Sequence, residues 1–347
     1  MGAFGLVSRH QSYEHPPCLS ASVVISFRGR PSPPSDDMCK HTASLLLALA
    51  AIGCLHAAQP GAPRFDGARA YEDVRQLVAI GTRVAGTPGA QAARDYIRKQ
   101  LTAAGLTVEE QPFDATTPLG HVKMVNLRAT LPAVPASSAA SGTQSSARLV
   151  IGGHYDTKLF KEFTFVGAND GGSSAAFLIE LGRALKSRAN RGPIELLFLD
   201  GEESVVEWQG QDHTYGSRYY VEAARKDGSL KDIRAFILVD MIGDSNLVIK
   251  REGNSTPWLT EAIWSAAKRM NRRAFVDETT PIEDDHLEFL AAGVPSVDLI
   301  DLEYPDASYR FWHTREDTLD HVAPESLQAV GDVLLAALPE IEKRLQR

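Results

Sequence analysis

The stretch LLFLDGEES (196–204) joins an apolar run to two adjacent carboxylates, Glu202 and Glu203. A short apolar run that ends at a glycine-containing turn is typical of a strand buried on both faces of a parallel sheet. Two acids at the end of such a strand are costly unless they are paired or bind a ligand. The stretch therefore predicts a central strand that ends in a functional site.

The same kind of apolar run recurs along the chain and alternates with helical patterns. The other predicted central strands are ARLVIGG (147–153), AFILVD (235–240) and SVDLID (296–301). Further strands are predicted at 106–113 and 121–131, and helices at 68–81, 90–104, 172–187, 256–270, 284–292 and 324–345. This alternation predicts an α/β domain with a mostly parallel sheet and helices on both faces.

The composition limits the classes of function. The 347 residues carry a formal net charge of −8 and 44% apolar residues, as in an ordinary globular protein. A nucleic-acid partner is not expected, since such proteins usually present a basic face. Residues 63–347 show no internal repeat and no second boundary, so we predict a single catalytic domain.

Residues 1–62 differ from the rest and are predicted to be a leader. Residues 1–37 form a Ser/Pro-rich extension, and 38–58 resemble a secretory signal peptide with an apolar core at 45–54. We expect an exported protein without a transmembrane segment in the mature chain; an anchor helix and lipid attachment at Cys54 are the alternatives. All three cysteines lie in the leader, so a metal site in the mature chain must use His, Asp and Glu.

Acids and histidines follow the predicted parallel strands. His154 and Glu203 each come after such a strand, Asp240 ends one, Asp170 precedes a helix, and His313 follows the last strand. Open α/β sheets bind ligands at the carboxyl ends of their strands, and a cluster of Asp, Glu and His suits Zn²⁺. Taken alone, Asp170 is also well explained as a helix N-cap.

The two glutamates cannot easily bind one ion equivalently, because adjacent side chains point in different directions. One can bind the metal while its neighbour faces the substrate as a general base or acid. Either Glu202 or Glu203 could be the metal ligand, with the other as the general base or acid.

Five motifs, in this order, resemble the zinc-dependent exopeptidase superfamily that contains M28-type aminopeptidases: GGHYDTK, GANDGGSSAA, LLFLDGEE, VDMIGD and FWHTREDT. The resemblance implies a three-layer αβα sandwich around a mixed, mostly parallel sheet. It also implies that Glu202 is the base and that Asp170, Glu203 and His313 bind one zinc. His154 and Asp240 match positions that hold a second zinc in di-zinc aminopeptidases.

Three further stretches are similar to animal-type glutaminyl-peptide cyclotransferases: Glu202 to Arg218, IEDDHLEFLAAGVPSVDLI (282–300) and WHT (312–314). Those enzymes keep the aminopeptidase fold, bind one zinc, and convert N-terminal Gln to pyroglutamate with release of ammonia. The resemblance implies that Asp240 and Asp284 share a hydrogen bond and act in catalysis with Glu202, and that Trp208 and Trp312 line the substrate pocket.

The sequence thus predicts a zinc-dependent glutaminyl-peptide cyclotransferase that acts, as a monomer, on peptides or proteins with N-terminal Gln. The alternatives are an M28-type zinc aminopeptidase, for which two zinc ions are expected, and a catalytically silent binding domain. The stretch from Trp208 to Arg218 and the IEDDH motif favour the cyclotransferase.

Overall fold

The computed structural model describes residues 64–133 and 147–346. The described residues belong to one compact unit, Pro60–Arg347. Within them, no helix is both long and apolar enough to cross a membrane. The predicted extension, the signal peptide and Cys54 lie outside the described residues.

The described residues contain helices that alternate with strands over most of the chain. The helices are α1 Gly67–Ile80, α2 Pro88–Ala103, α3 Gly172–Lys186, α4 Tyr215–Asp227, α5 Pro257–Arg269, α6 His286–Ala291 and α7 Pro324–Leu345. The strands are β1 Val108–Thr117, β2 Gly120–Leu131, β3 Arg148–His154, β4 Ile194–Leu199, β5 Ile233–Asp240, β6 Ile249–Glu252, β7 Phe275–Thr280 and β8 Ser296–Ile300.

Six of the strands form one mixed sheet in the order β1-β2-β4-β3-β5-β8. Strands β4, β3, β5 and β8 are mutually parallel, whereas the β1–β2 hairpin adds antiparallel strands at one edge. The mixed, mostly parallel sheet that was predicted is therefore confirmed. Strands β6 and β7 pair separately as a small parallel sheet, which the sequence pattern did not predict.

The sheet packs on helices through both of its faces, because successive side chains of a strand point in opposite directions. On β5, Ile237 and Val239 join the core with α1, α2, α3, α5 and α7. Phe236 and Leu238 face the other way and pack with α4 and α6, where Phe236 stacks on Phe289 at 3.8 Å between ring centroids. These two cores confirm the three-layer αβα sandwich.

The four parallel strands end at one edge of the sheet and position the candidate site there. Strand β3 ends at His154 and β5 ends at Asp240. Strand β4 ends at Leu199, directly before the DGEE turn. This edge is where open α/β sheets bind ligands.

Candidate metal centre and substrate cavity

Three of the predicted ligands converge at the carboxyl edge of the sheet. The Nε2 atom of His313 lies 3.2 Å from Glu203 Oε1 and 3.3 Å from Asp170 Oδ2. One ligand atom from each of the three residues lies within 4.8 Å of the others. Three His and carboxylate ligands that leave further positions open are the pattern of a catalytic zinc site.

The orphaned atoms of this group fit a cation. Asp170 Oδ2 and Glu203 Oε2 are buried and have no hydrogen-bond partner among the described residues. Buried carboxylate oxygens normally have a partner, and a bound metal ion would supply one. Asp170 is not the N-cap of α3, because that position belongs to Gly171. The alternative prediction, that Asp170 serves as the N-cap of a helix, is therefore wrong.

The backbone around the group adopts conformations that few residues tolerate. Gly171 has φ +74°, and a Cβ atom there would lie 2.4 Å from Asp156 O. His313 and Met241 also have positive φ, at 54° and 47°. Such conformations are costly for residues with a side chain and collect at functional sites.

A second group shares Asp170 with the first. His154 Nε2 lies 3.2 Å from Asp170 Oδ1 and 3.0 Å from Asp240 Oδ1. Asp240 Oδ1 also accepts hydrogen bonds from Ser174 Oγ at 3.1 Å and from Met241 N at 2.8 Å. This oxygen therefore has three polar neighbours, one of which, His154, is a candidate ligand of the same group.

The acids of the first group set the charge of His313. Burial alone would lower the pKa of His313, but Glu203 and Asp170 raise it to about 10. A metal binds neutral imidazole, so occupation of this group would release a proton.

The two adjacent glutamates face different partners, as the sequence argument required. Asp156 accepts hydrogen bonds from both backbone N–H groups, at 3.2 Å from Glu202 N and 3.3 Å from Glu203 N. Glu203 then approaches His313, whereas Glu202 Oε2 lies 3.7 Å from His154 Nδ1. Burial raises the pKa of Glu202 well above its usual range; His154 opposes the shift, and Asp284 and Glu203 add to it.

A cavity of about 430 Å³ opens onto these groups. Both predicted substrate-binding tryptophans, Trp208 and Trp312, line it. Trp312 stacks on His313 with ring centroids 4.4 Å apart, and Trp208 stacks on His213 at 4.2 Å. The cavity therefore combines aromatic walls with a few polar groups, as small-ligand sites do.

Asp240 and Asp284 also line the cavity. Burial raises the pKa of Asp284 well above its usual range, and the charge of Asp240 adds to the shift. Asp284 Oδ2 is buried without a hydrogen-bond partner in the described ranges. No direct hydrogen bond joins the two carboxyls there, so the shared proton stays a prediction.

Two residues to which the sequence assigned no role hold the Asp170 loop, although one of them, Asp317, lies within the FWHTREDT motif. Asp317 accepts hydrogen bonds from Asn169 N and Asp170 N, at 2.8 and 3.1 Å. Arg83, with a fully buried side chain, donates to the carbonyl oxygens of Tyr155, Val166 and Gly167 at 2.6–2.8 Å. No local sequence pattern links these residues to their partners, which lie more than 70 positions away.

We expect Arg83→Met to lower the free energy of unfolding by about 3 kcal/mol or more, because several buried carbonyl groups lose their donors. Urea unfolding measures the change. Arg98→Met is the matched control: Arg98 forms partly exposed ion pairs with Asp95 and Glu110, so its loss should cost less than about 1 kcal/mol. Equal losses in the two variants would contradict the assigned role of Arg83.

Comparison with known proteins agrees with this geometry. The family model for peptidase family M28 matches residues 137–338. The glutaminyl-peptide cyclotransferase-like protein of Mus musculus is 31% identical over an alignment of 297 residues that covers 77% of this chain and 73% of that protein.

Solved structures give the same result. A glutaminyl cyclase from an Acidobacteriales bacterium is 38% identical, with a TM-score of 0.73, over 81% of this chain and 96% of its own. A Zn-dependent exopeptidase from Parabacteroides distasonis is 26% identical, with a TM-score of 0.68, over 80% of this chain and 99% of its own. The chain therefore belongs to peptidase family M28, in the branch that contains the glutaminyl-peptide cyclotransferases.

Proposed function

We propose that this chain is a zinc-dependent glutaminyl-peptide cyclotransferase that converts the N-terminal Gln of peptides to pyroglutamate and releases ammonia. The observation that supports this most is the cavity, in which Trp208 and Trp312 face the acids at the end of β4. A small planar amide suits an aromatic-walled pocket with few polar anchors. The names of the relatives given above agree with the proposal.

Asp170, Glu203 and His313 would hold the zinc ion. The bound ion would polarise the side-chain amide carbonyl of the substrate. The unpartnered oxygens of Asp170 and Glu203 support this ligand set, and so does the approach of His313 to both carboxylates.

Glu202 would move the proton. The reaction forms a bond between the α-amine nitrogen and the side-chain amide carbon and breaks the bond to the amide nitrogen. One proton must therefore leave the amine and one must reach the departing ammonia. Glu202 lines the cavity beside the metal group, and burial raises its pKa, as suits a carboxyl that acts as both base and acid.

Asp240 and Asp284 would orient the substrate amine, since both carboxyls line the cavity. Burial raises the pKa of Asp284, which favours the protonated carboxyl, and a protonated carboxyl can donate a hydrogen bond where an ionised carboxylate can only accept one. Trp208 and Trp312 would hold the glutamine side chain between apolar surfaces. We further propose that the enzyme is exported, as the leader sequence suggests, and that it acts as a monomer.

The alternative is an M28-type aminopeptidase, and the group formed by His154, Asp170 and Asp240 favours it. This group provides a second set of metal ligands that shares Asp170 with the first. Hydrolysis needs an activated water molecule, for which paired metal ions are suited. The intramolecular cyclisation needs no such water.

We expect the purified protein to release ammonia and pyroglutamyl product from a Gln-initiated peptide and to leave leucine p-nitroanilide intact. A coupled ammonia assay and mass spectrometry measure the first reaction, and absorbance measures the second. The N-acetylated form of the same peptide is the control, because its blocked amine cannot cyclise. Anilide hydrolysis without cyclisation would establish the aminopeptidase instead.

A further inference from the structure

The outer part of the cavity carries two acidic side chains that the proposed reaction does not use. Glu207 and Glu283 line the same cavity as Glu202 and Asp284. The latter two are buried, whereas Glu207 and Glu283 are exposed. The exposed pair therefore lies at the mouth, which the rest of a bound peptide must pass.

The carboxylate of Glu283 is held in place. Its Oε2 atom accepts a hydrogen bond from Trp208 Nε1 at 3.1 Å, and its Oε1 atom lies 3.7 Å from His213 Nε2. Trp208 itself is fixed by stacking on His213. The side chain of Glu283 nevertheless keeps 61% of its surface exposed, so one side of the carboxylate is available to a ligand.

The charge at the mouth is not neutralised by the protein. Burial lowers the pKa of His213, although Glu283 opposes the shift, and this favours the uncharged imidazole. Within the described residues, no Lys or Arg forms an ion pair with Glu207 or Glu283. Lys158 also lines the cavity, but its ammonium group contacts Ser204 and lies 3.7 Å from Glu203 Oε2.

We propose that Glu283, assisted by Glu207, selects peptides that carry Lys or Arg directly after the N-terminal Gln. The inference rests on the proposed function, since it assumes that the Gln residue occupies the inner cavity. With the Gln side chain between Trp208 and Trp312, the next residues lie over the mouth, where a basic side chain meets two exposed carboxylates that form no ion pair with a Lys or Arg of the described residues. An acidic side chain at the same place is repelled.

The test compares short Gln-initiated peptides that differ in one residue: Lys, Ala or Glu at position two, and the same series at position three. We expect kcat/KM to be roughly tenfold higher for Lys than for Glu at position two, since one charge is attracted and the other repelled by partly exposed carboxylates, and we expect a smaller ratio at position three. Added salt should reduce the ratio, because it screens exposed charges.

Glu283→Gln isolates the charge, because the amide oxygen can still accept the hydrogen bond from Trp208. We expect this variant to lower the Lys/Glu ratio several-fold. Glu222→Gln, which removes the same charge from an exposed position on α4 outside the cavity lining, should keep the native ratio. A native ratio near one, or a ratio that Glu283→Gln leaves unchanged, would overturn the proposal.

Failure of the proposed function is distinguishable from failure of this inference. If the Ala peptide is not cyclised at all, the reaction assignment is wrong. Isothermal titration calorimetry with the same peptides then still measures the Lys/Glu preference as a ratio of dissociation constants. Absence of a Glu283-dependent preference in that ratio would overturn the inference by itself.

Discussion

Glu202→Gln should lower kcat by roughly 10²–10⁴-fold, the range that a general acid–base group contributes, while the zinc content stays at the native level. Glutamine has the shape of glutamate but neither accepts nor releases a proton at neutral pH. The backbone N–H of residue 202 would still donate to Asp156, so the loop that carries Glu203 should keep its position. Glu202 is not one of the candidate metal ligands, which are Asp170, Glu203 and His313. Its substitution should therefore leave the ligand set intact.

Steady-state ammonia release and zinc content by mass spectrometry measure the two effects on one sample. Glu203→Gln is the informative counterpart: it should lose the metal as well as activity, since it removes a charged ligand. Glu222→Gln controls for the change in net charge. Loss of zinc in Glu202→Gln with retention in Glu203→Gln would mean that the roles of the pair are reversed.

Patterns of buried residues carried most of the fold prediction. Strands β3, β4 and β5 are buried on both faces, and their apolar runs are typical of central strands in a parallel sheet. The missed elements carry weaker signals. Helix α4 buries Ser217, Tyr220, Val221 and Ala224 at helical spacing, but few of these residues are large and apolar, and Thr214 before it has a left-handed backbone and makes no side-chain cap hydrogen bond. Strands β6 and β7 are largely polar and pair only because the fold brings them together.

The residues of the candidate metal groups could be predicted from the sequence, because most of them follow strands that end at one edge of the sheet. The position of Glu283 at the mouth of the cavity could not. Glu283 becomes a mouth residue only through its contact with Trp208, 75 positions away in the chain. Arg83 lies in a loop without periodicity, and its role appears only when β3 and the Asp170 loop fold around it. Long-range contacts of single polar residues leave no local signal.

His313→Ala and His154→Ala should separate the two metal groups. His313 belongs only to the group with Glu203, and His154 only to the group with Asp240. For a one-zinc enzyme, we expect His313→Ala to lose the ion and at least about 10³-fold in kcat/KM, since Lewis-acid stabilisation is worth several kcal/mol. His154→Ala should keep about one zinc per chain, because the Asp170–Glu203–His313 group is intact.

The zinc content of the native protein decides what the pair of variants means. A native content near one, which His313→Ala abolishes and His154→Ala keeps, would assign the zinc to Asp170, Glu203 and His313, as the oxygens of Asp170 and Glu203 without a hydrogen-bond partner suggest. A native content near two, reduced to about one by either variant, would show that both groups bind metal and would favour the aminopeptidase.

Circular dichroism of each variant checks the fold, and His154→Gln repeats the test with less loss of buried volume. Asp170→Asn supplies the last comparison: because both groups share Asp170, it should remove zinc whichever stoichiometry holds.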